Sequence, residues 1–278
     1  MAILSIQSSV AYGYVGNSIV VPALQARGED VWRLDTVSYS NHPGYGTFSG
    51  YSKKYGAINE ELRGLYNLGI MKNCDAVLSG YLGELASAKS VLHAFKSVRA
   101  QNKKAIYVLD PVIGDENKVY VKDGILQAFK NTLLPHANIV IPNQYELGWL
   151  SDLKIYDYLS LITGAKKIIE KGPKAVVITG SFDDHNIVNY AVSSEGIWKT
   201  TTPKVKRKFS GTGDLFSALF TSAFLKSMDL SCALYFATKG CKLVIDETQR
   251  IQSSELAIIP VLRHLSEMTA NTPAKRIA

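Results

Sequence analysis

Three cysteines in 278 residues, Cys74, Cys232 and Cys241, are an odd number and form no CxxC pair. They supply neither a disulfide framework nor a zinc cage, so a reducing compartment is expected. Several familiar signatures are missing too. There is no Gly-Lys dipeptide, hence no Walker A loop, and no GxGxxG follows the first apolar run. HExxH and GxSxG are absent, which removes the metalloprotease and nucleophile-elbow hydrolase readings. The longest apolar helical stretch, Leu215 to Leu225, contains Ser217, Thr221 and Ser222 and is too short to span a bilayer. The opening residues MAILSIQSSV lack a basic region and are apolar over too short a distance for a signal peptide. A cytoplasmic protein with no membrane partner is expected.

What is present is globular. Hydrophobic residues make up 46% and charged residues 20%, enough to build a core and too apolar for intrinsic disorder. The net charge of +7 suits a polyanion, nucleoside phosphates included. Spread over this length, it also reads as an ordinary solvated surface. No nucleic-acid motif accompanies it, so no nucleic-acid partner is expected.

Short apolar strand-like runs alternate with amphipathic segments. Ala2–Ser8, Val31–Asp35, Ala76–Ser79, Ile106–Asp110, Ile139–Pro142 and Ala175–Thr179 read as strands. Asn17–Arg27, Leu85–Gln101, Ile125–Leu133 and Leu159–Lys171 read as helices between them, and Asn41–Gly50 as a loop. Strands buried on both faces with crossover helices mean a parallel α/β sheet. After Thr179 the rhythm changes to a hairpin, Asn189–Val192 and Ile197–Thr200, turning at Glu195-Gly196. A basic stretch (Lys204, Lys206, Arg207, Lys208) follows, then helices Thr212–Ser227 and Leu230–Ile245. Cys232 and Cys241 fall in the last of these and read as core residues. No linker or repeat divides the chain, so residues 1–278 are expected to form one domain.

Chemistry concentrates at Phe209-Ser210-Gly211-Thr212-Gly213-Asp214. A Gly-Thr-Gly turn before a long helix leaves backbone N–H groups unpaired at the positive end of the helix dipole, an arrangement suited to phosphate. Asp214 alone reads as a favourable first-turn acid. Beside a phosphate site, however, a carboxylate is repulsive unless it accepts a proton from an attacking hydroxyl. Asp110 closes a strand in Leu109-Asp110-Pro111, and Glu146 follows another in Pro142-Asn143-Gln144-Tyr145-Glu146. Ligands in open α/β sheets bind beyond the carboxyl ends of strands, where these acids gather. Carboxylates, water and phosphate oxygens make the usual Mg²⁺ shell. Alternatively, Asp110 is a strand-end turn former, Glu146 a first-turn helix acid, and Asp115 an ordinary Gly-Asp turn residue.

Together these residues resemble the pyridoxal kinases of the ribokinase-like superfamily, in order and along nearly the whole chain. The resemblance rests on Ser5-Ile6-Gln7-Ser8 with Gly13-Tyr14-Val15-Gly16-Asn17, Ser40-Asn41-His42 with Gly44-Tyr45, and Leu78-Ser79-Gly80-Tyr81. It continues through Asp110-Pro111-Val112-Ile113-Gly114-Asp115, Pro142 to Glu146, Val176 to Thr179, and Gly211 to Asp214. It implies a three-layer fold, a central, mostly parallel sheet with helices on both faces. The implied reaction is ATP-dependent phosphorylation of the 5′-hydroxymethyl group of B6 vitamers. Asp214 would be the base, and Gly211, Thr212 and Gly213 would donate N–H groups to the transferring phosphoryl. Asp110, Asp115 and Glu146 match positions around the metal and the ATP phosphates, with Asp115 and Glu146 nearest Mg²⁺. Asn143 and Thr179 match positions lining the nucleotide, and Lys206, Arg207 and Lys208 fall in a loop that covers it, unless they are merely a solvated strand edge. On the vitamer side, Ser8 would bond the pyridine ring and Val15 and Tyr39 would flank it, with Pro43, Tyr81 and Tyr120 nearby. His42 would touch substrate or cap a turn. A homodimer is implied by resemblance alone.

This chain departs from the family's pattern at three positions. Pro43 replaces a common threonine and removes a hydroxyl and an N–H near the vitamer. Ile141 stands where some relatives carry threonine near a monovalent-cation site, leaving K⁺ activation open. Tyr39 replaces a phenylalanine and adds a hydroxyl. Two rivals remain. One is a hydroxymethylpyrimidine kinase of the same superfamily, although those enzymes often carry cysteine where Asp214 stands. The other is a non-catalytic vitamer-binding protein, which would need neither Asp214 nor the metal carboxylates.

Overall fold

Apolar residues that alternate along the strands send successive side chains to opposite faces, and each face finds its own layer of helices. The computed structural model describes residues 1–116, 118–181, 183 and 185–278. Its elements run β1 (Ala2–Val10), α1 (Asn17–Ala26), β2 (Asp30–Tyr39), β3 (Gly50–Ser52), α2 (Tyr55–Asn67), β4 (Cys74–Ser79) and α3 (Ser87–Gln101). Next come β5 (Ile106–Leu109), β6 (Gly114–Asp115), β7 (Lys118–Val119), α4 (Ile125–Ala128), β8 (Ile139–Val140), α5 (Gln144–Ser151) and α6 (Tyr158–Ile169). The chain continues with β9 (Ala175–Ser181), β10 (Asn186–Ser193), β11 (Gly196–Pro203), α7 (Thr212–Ser227), α8 (Leu230–Arg250), α9 (Leu262–Glu267) and β12 (Lys275–Arg276).

Among the described residues, the main sheet has the order β12-β11-β10-β9-β8-β5-β4-β1-β2-β3. The strands from β2 across to β9 pair in parallel, and both margins are antiparallel. Leu4, Ile6, Val77, Tyr107, Leu109, Val176 and Ile178 pack beneath α2, α3, α5 and α6. The alternate residues Ile3, Ala76, Leu78, Val108, Val177 and Ala191 pack beneath α1, α7, α8 and α9. Each fully buried aliphatic side chain is worth about 1.5–3 kcal/mol. This double burial explains why the parallel strands read as continuous apolar runs.

The structure corrects several expected boundaries. Helix α2 lies in a stretch with no predicted element, and β2 continues to Tyr39, four residues past its apolar run. The predicted helix Ile125–Leu133 is one α-helical turn followed by a π-helical segment, Phe129–Leu133. From β1 the chain steps outward to β2 and then crosses back to β4, so the sheet order reverses at β1. A crevice opens beyond the strand ends at such a switch point.

Candidate active site

Helix α7 begins at that crevice. Gly211 precedes it with φ 84°, a left-handed backbone that disfavours side chains. A Cβ at Gly211 would stand 1.8 Å from the Tyr14 carbonyl oxygen, so the β1–α1 loop lies directly against the glycine turn. No side chain caps α7 among the described residues, leaving its first-turn amides available to an anion. Asp214, in that first turn, accepts the Gly16 N–H at 2.9 Å through Oδ2. Gly16 itself has φ 51°, and a Cβ there would lie 2.3 Å from Ser8 Oγ. The closely packed glycines thus bring Ser8, the 13–16 loop and Asp214 into one cluster. Asp214 is half-buried, and desolvation pushes its pKa up to about 6 despite the Gly16 bond.

Two further carboxylates lie deeper. Asp110 follows β5, is buried, and accepts the Ser217 hydroxyl at 2.6 Å. Burial first, then the Asp214 charge, raises its pKa to about 8 against that hydrogen bond. Glu146, also buried, completes the capping box of α5. Its Oε2 accepts the Asn143 N–H at 2.9 Å, and its Oε1 accepts the Ile113 N–H at 2.9 Å and the Gly114 N–H at 3.4 Å. Desolvation and Asp110 nonetheless hold Glu146 well above the usual carboxylate range. Asp115 is exposed in β6, with its Oδ1 accepting the Glu116 N–H. These acids share a field without converging: among the described residues, no three His, Cys, Asp or Glu side chains form a metal-ligand cluster.

Asn143 and Thr179, the residues expected to line a nucleotide, lie along neighbouring strand ends. Asn143 caps α5, its Oδ1 accepting from Tyr145 N and Glu146 N while its Nδ2 donates to the Gly114 carbonyl at 2.8 Å. Its backbone bridges to Thr179 in β9. Of the basic residues, Lys208 pairs with Glu116 across the opening, and Arg207 donates to the Ser253 carbonyl at 3.1 Å. Lys206 is exposed, with no side-chain hydrogen bond among the described residues. The basic stretch is therefore partly tied down rather than uniformly solvated.

Of the residues expected on the vitamer side, Tyr39 ends β2 with its hydroxyl 3.1 Å from Ser52 Oγ and its ring 4.8 Å from Phe48. Tyr81 is held through its carbonyl, which accepts the Thr36 hydroxyl at 2.6 Å, and partial burial raises its pKa. Tyr120 follows β7. Partial burial and the charges of Glu146, Asp115, Asp110 and Asp214 all push its hydroxyl upward, so it stays protonated in the field of the four acids. Val15 is half-buried in the 13–16 loop, and Pro43 is exposed in a short turn that the His42 imidazole caps by accepting the Gly44 N–H.

Sequence reasoning missed three kinds of support. Ser217 lies one helical turn beyond Asp214, and that spacing was a usable signal for its face. Ser5 and Asn17 form a buried pair, the Ser5 hydroxyl donating to Asn17 Oδ1 at 2.6 Å, while Asn17 Nδ2 reaches Asp35 at 2.8 Å. Glu255 carried no local signal, because its partners are more than 200 residues away. Of the thiols, Cys74 and Cys241 are buried core groups, whereas Cys232, expected in the core, is only half-buried near the start of α8; burial pushes Cys74 up to about 12.

A family model described as phosphomethylpyrimidine kinase matches residues 71–258. The chain is 35% identical to pyridoxal kinase PdxY of Rubrobacter xylanophilus over 99% of its own length and 97% of that relative. It is 36% identical to pyridoxal kinase PdxY of Actinobacillus pleuropneumoniae over 92% of each chain. The fold matches the pyridoxal kinase of Leishmania donovani in complex with ADP and pyridoxamine at a TM-score of 0.92 and 26% identity, covering 100% of this chain and 99% of that one. Matched by that family model over residues 71–258 and by a pyridoxal kinase at 35% identity along nearly its whole length, this protein belongs to the phosphomethylpyrimidine kinase family and, within it, to the pyridoxal kinases.

Proposed function

We propose that this chain is an ATP-dependent kinase that phosphorylates the 5′-hydroxymethyl group of pyridoxal and related B6 vitamers. The observation that carries the reading is Asp214, half-buried at the uncapped start of α7 with its carboxylate on the Gly16 N–H, where burial raises its pKa to about 6. A base in that range is ionised at neutral pH yet still takes up a proton readily. Asp214 accepts the hydroxyl proton as the oxygen attacks the terminal phosphorus of ATP. The amides of Gly211, Thr212 and Gly213 donate to the equatorial oxygens of the transferring phosphoryl. Ser8, Val15, Tyr39, Tyr81, Tyr120 and the Pro43 turn present the vitamer to Asp214. Asn143, Thr179, Lys206 and Lys208 serve the nucleotide.

The acids fit Mg²⁺ in one respect. Asp110 and Glu146 are buried neighbours whose repulsion a cation relieves, and Asp115 adds charge at the rim. Because both Glu146 oxygens already accept backbone N–H groups, the donor set suits an ion that keeps water and phosphate oxygens in its shell. When bound, that ion would neutralise charge on the ATP phosphates. Ile141 is buried and supplies no side-chain oxygen for K⁺.

A single domain, assembled as a homodimer in the cytoplasm, completes the proposal. Among the described residues, no helix is long and apolar enough to cross a membrane. A second reading, hydroxymethylpyrimidine kinase, draws on the family model's description. A coupled assay of ADP release with pyridoxal, pyridoxine, pyridoxamine and hydroxymethylpyrimidine, with and without K⁺, separates the two. Turnover with hydroxymethylpyrimidine and none with any vitamer would overturn the proposal.

A further inference from the structure

The connection between α8 and α9 carries a carboxylate that reaches back to the vitamer side. Glu255 is 9% exposed. Its Oε2 accepts the Tyr14 N–H at 3.0 Å, and its Oε1 accepts the Tyr45 hydroxyl at 2.5 Å. His42 Nε2 lies 3.6 Å from the same Oε1. A Cβ at Gly13 would stand 2.7 Å from Oε2, so the first loop closes onto the carboxylate with no room to spare. The carboxylate's own backbone is anchored, because the Ser253 hydroxyl accepts the Glu255 N–H at 3.1 Å and donates to the Glu255 carbonyl at 2.6 Å.

Two loops distant in sequence therefore meet at one side chain. In the first, Glu255 holds the Tyr14 N–H and Asp214 holds the Gly16 N–H, which suspends Val15 between two carboxylates. In the second, the His42 ring packs 4.8 Å from the Tyr45 ring, and Tyr12 of the first loop completes the contact at 5.9 Å from Tyr45. Loss of the carboxylate would unpair the Tyr14 amide and the Tyr45 hydroxyl together, leaving the Tyr12–Tyr45 contact to join the loops.

We propose that Glu255 is a positioning residue for the vitamer, its carboxylate clamping the 13–16 loop to the 42–45 turn and so fixing where Val15 and His42 stand at the mouth. The inference rests on the vitamer-kinase reading above. It predicts an effect mainly on one substrate, since the Glu255 carboxylate bonds only the two vitamer-side loops among the described residues, while Arg207 meets the backbone of Ser253 and Ser254 rather than the carboxylate. Glutamine is a fair substitute: its oxygen serves the Tyr14 N–H, and its amide N–H meets a Tyr45 hydroxyl that accepts as well as donates.

The test combines steady-state kinetics with amide hydrogen exchange. Glu255→Ala is expected to raise the KM for pyridoxal on the order of tenfold while the KM for ATP stays within about twofold. Glu255→Gln should recover most of that loss. Tyr45→Phe, which removes one hydroxyl from a partly exposed ring, should raise the pyridoxal KM by about threefold in wild-type background and add nothing to Glu255→Ala. Without any substrate, Glu255→Ala should speed exchange in residues 12–16 and 41–46 together and leave residues 215–223 protected. An unchanged pyridoxal KM, equal rises in both KM values, full additivity with Tyr45→Phe, or loops that exchange independently would each overturn the clamp. Should Glu255→Ala fail to fold, Tyr45→Phe and Glu255→Gln decide by the same criteria. Wild-type protein inactive on every vitamer would sink the kinase reading, and the exchange experiment would still judge whether the clamp exists.

Discussion

Replacing Asp214 by asparagine isolates basicity from shape. The side chain keeps its size, and its amide oxygen still accepts the Gly16 N–H that the carboxylate holds at 2.9 Å. The loop geometry should therefore survive. What disappears is a proton acceptor whose pKa lies near 6. At pH 7 the carboxylate is about ten parts ionised to one protonated; at pH 5 the ratio reverses. Wild-type turnover should accordingly fall below pH 6, reaching roughly a tenth of its plateau at pH 5. Removal of a general base costs on the order of 10²–10⁴ in rate, about 3–5 kcal/mol of barrier. The assay is coupled ADP release at saturating pyridoxal from pH 5 to 8, with ATP affinity measured by titration. Asp214→Asn should lose that activity, retain ATP binding and lose the acid limb. Turnover within about tenfold of wild type, or an acid limb near 6 that survives the substitution, would refute the assignment of Asp214 as the base.

Two other substitutions probe the scaffold beneath it. Gly211→Ala should lower the melting temperature by several degrees and depress kcat, because a methyl group there meets the Tyr14 carbonyl and the left-handed backbone adds about 1 kcal/mol or more of strain; a melting curve identical to wild type would contradict the packing described. Asp110→Asn should stabilise the ligand-free protein, and more so as pH rises. The folded pKa near 8 exceeds the unfolded value near 3.8. Folding is thus least penalised when Asp110 is protonated, and stability is lost as pH rises from about 4 towards 8. A gain on the order of a few kcal/mol at pH 8, shrinking towards zero at pH 4, is expected from denaturant melts. A gain independent of pH would show that Asp110 is not held protonated by its surroundings.

The parallel strands were legible because burial on both faces leaves an unbroken apolar record in β4, β5 and β9. The start of α7 was legible because a glycine turn before an apolar helix has few other uses. Helix α2 was not, since its exposed polar face (Glu60, Glu61, Arg63) dilutes the apolar positions Ile58 and Leu62 that meet the core. The continuation of β2 to Tyr39 rests on pairing with β1 on one side and β3 on the other, non-local contacts with no local signature. At the site, residue types announced the chemistry but not how they are held. Glu146 was legible as an acid near the phosphates, yet three backbone N–H groups occupy its oxygens. Asn143 caps its own helix locally, but its bond to the Gly114 carbonyl, like the partners of Glu255, forms only when the chain folds.

The far end of α7 has a consequence for motion. There the Ser222 hydroxyl donates to Glu29 at 2.8 Å, and Lys226 pairs with the same carboxylate at 2.8 Å while also donating to the Arg27 carbonyl. A sixteen-residue rod of roughly 24 Å is thereby bolted at its tail to the segment leading into β2. The glycine-turn tip cannot easily retreat or advance along its axis. If that tip holds a phosphate as proposed, any tightening around it has to come from the flanking segments travelling toward a stationary anvil.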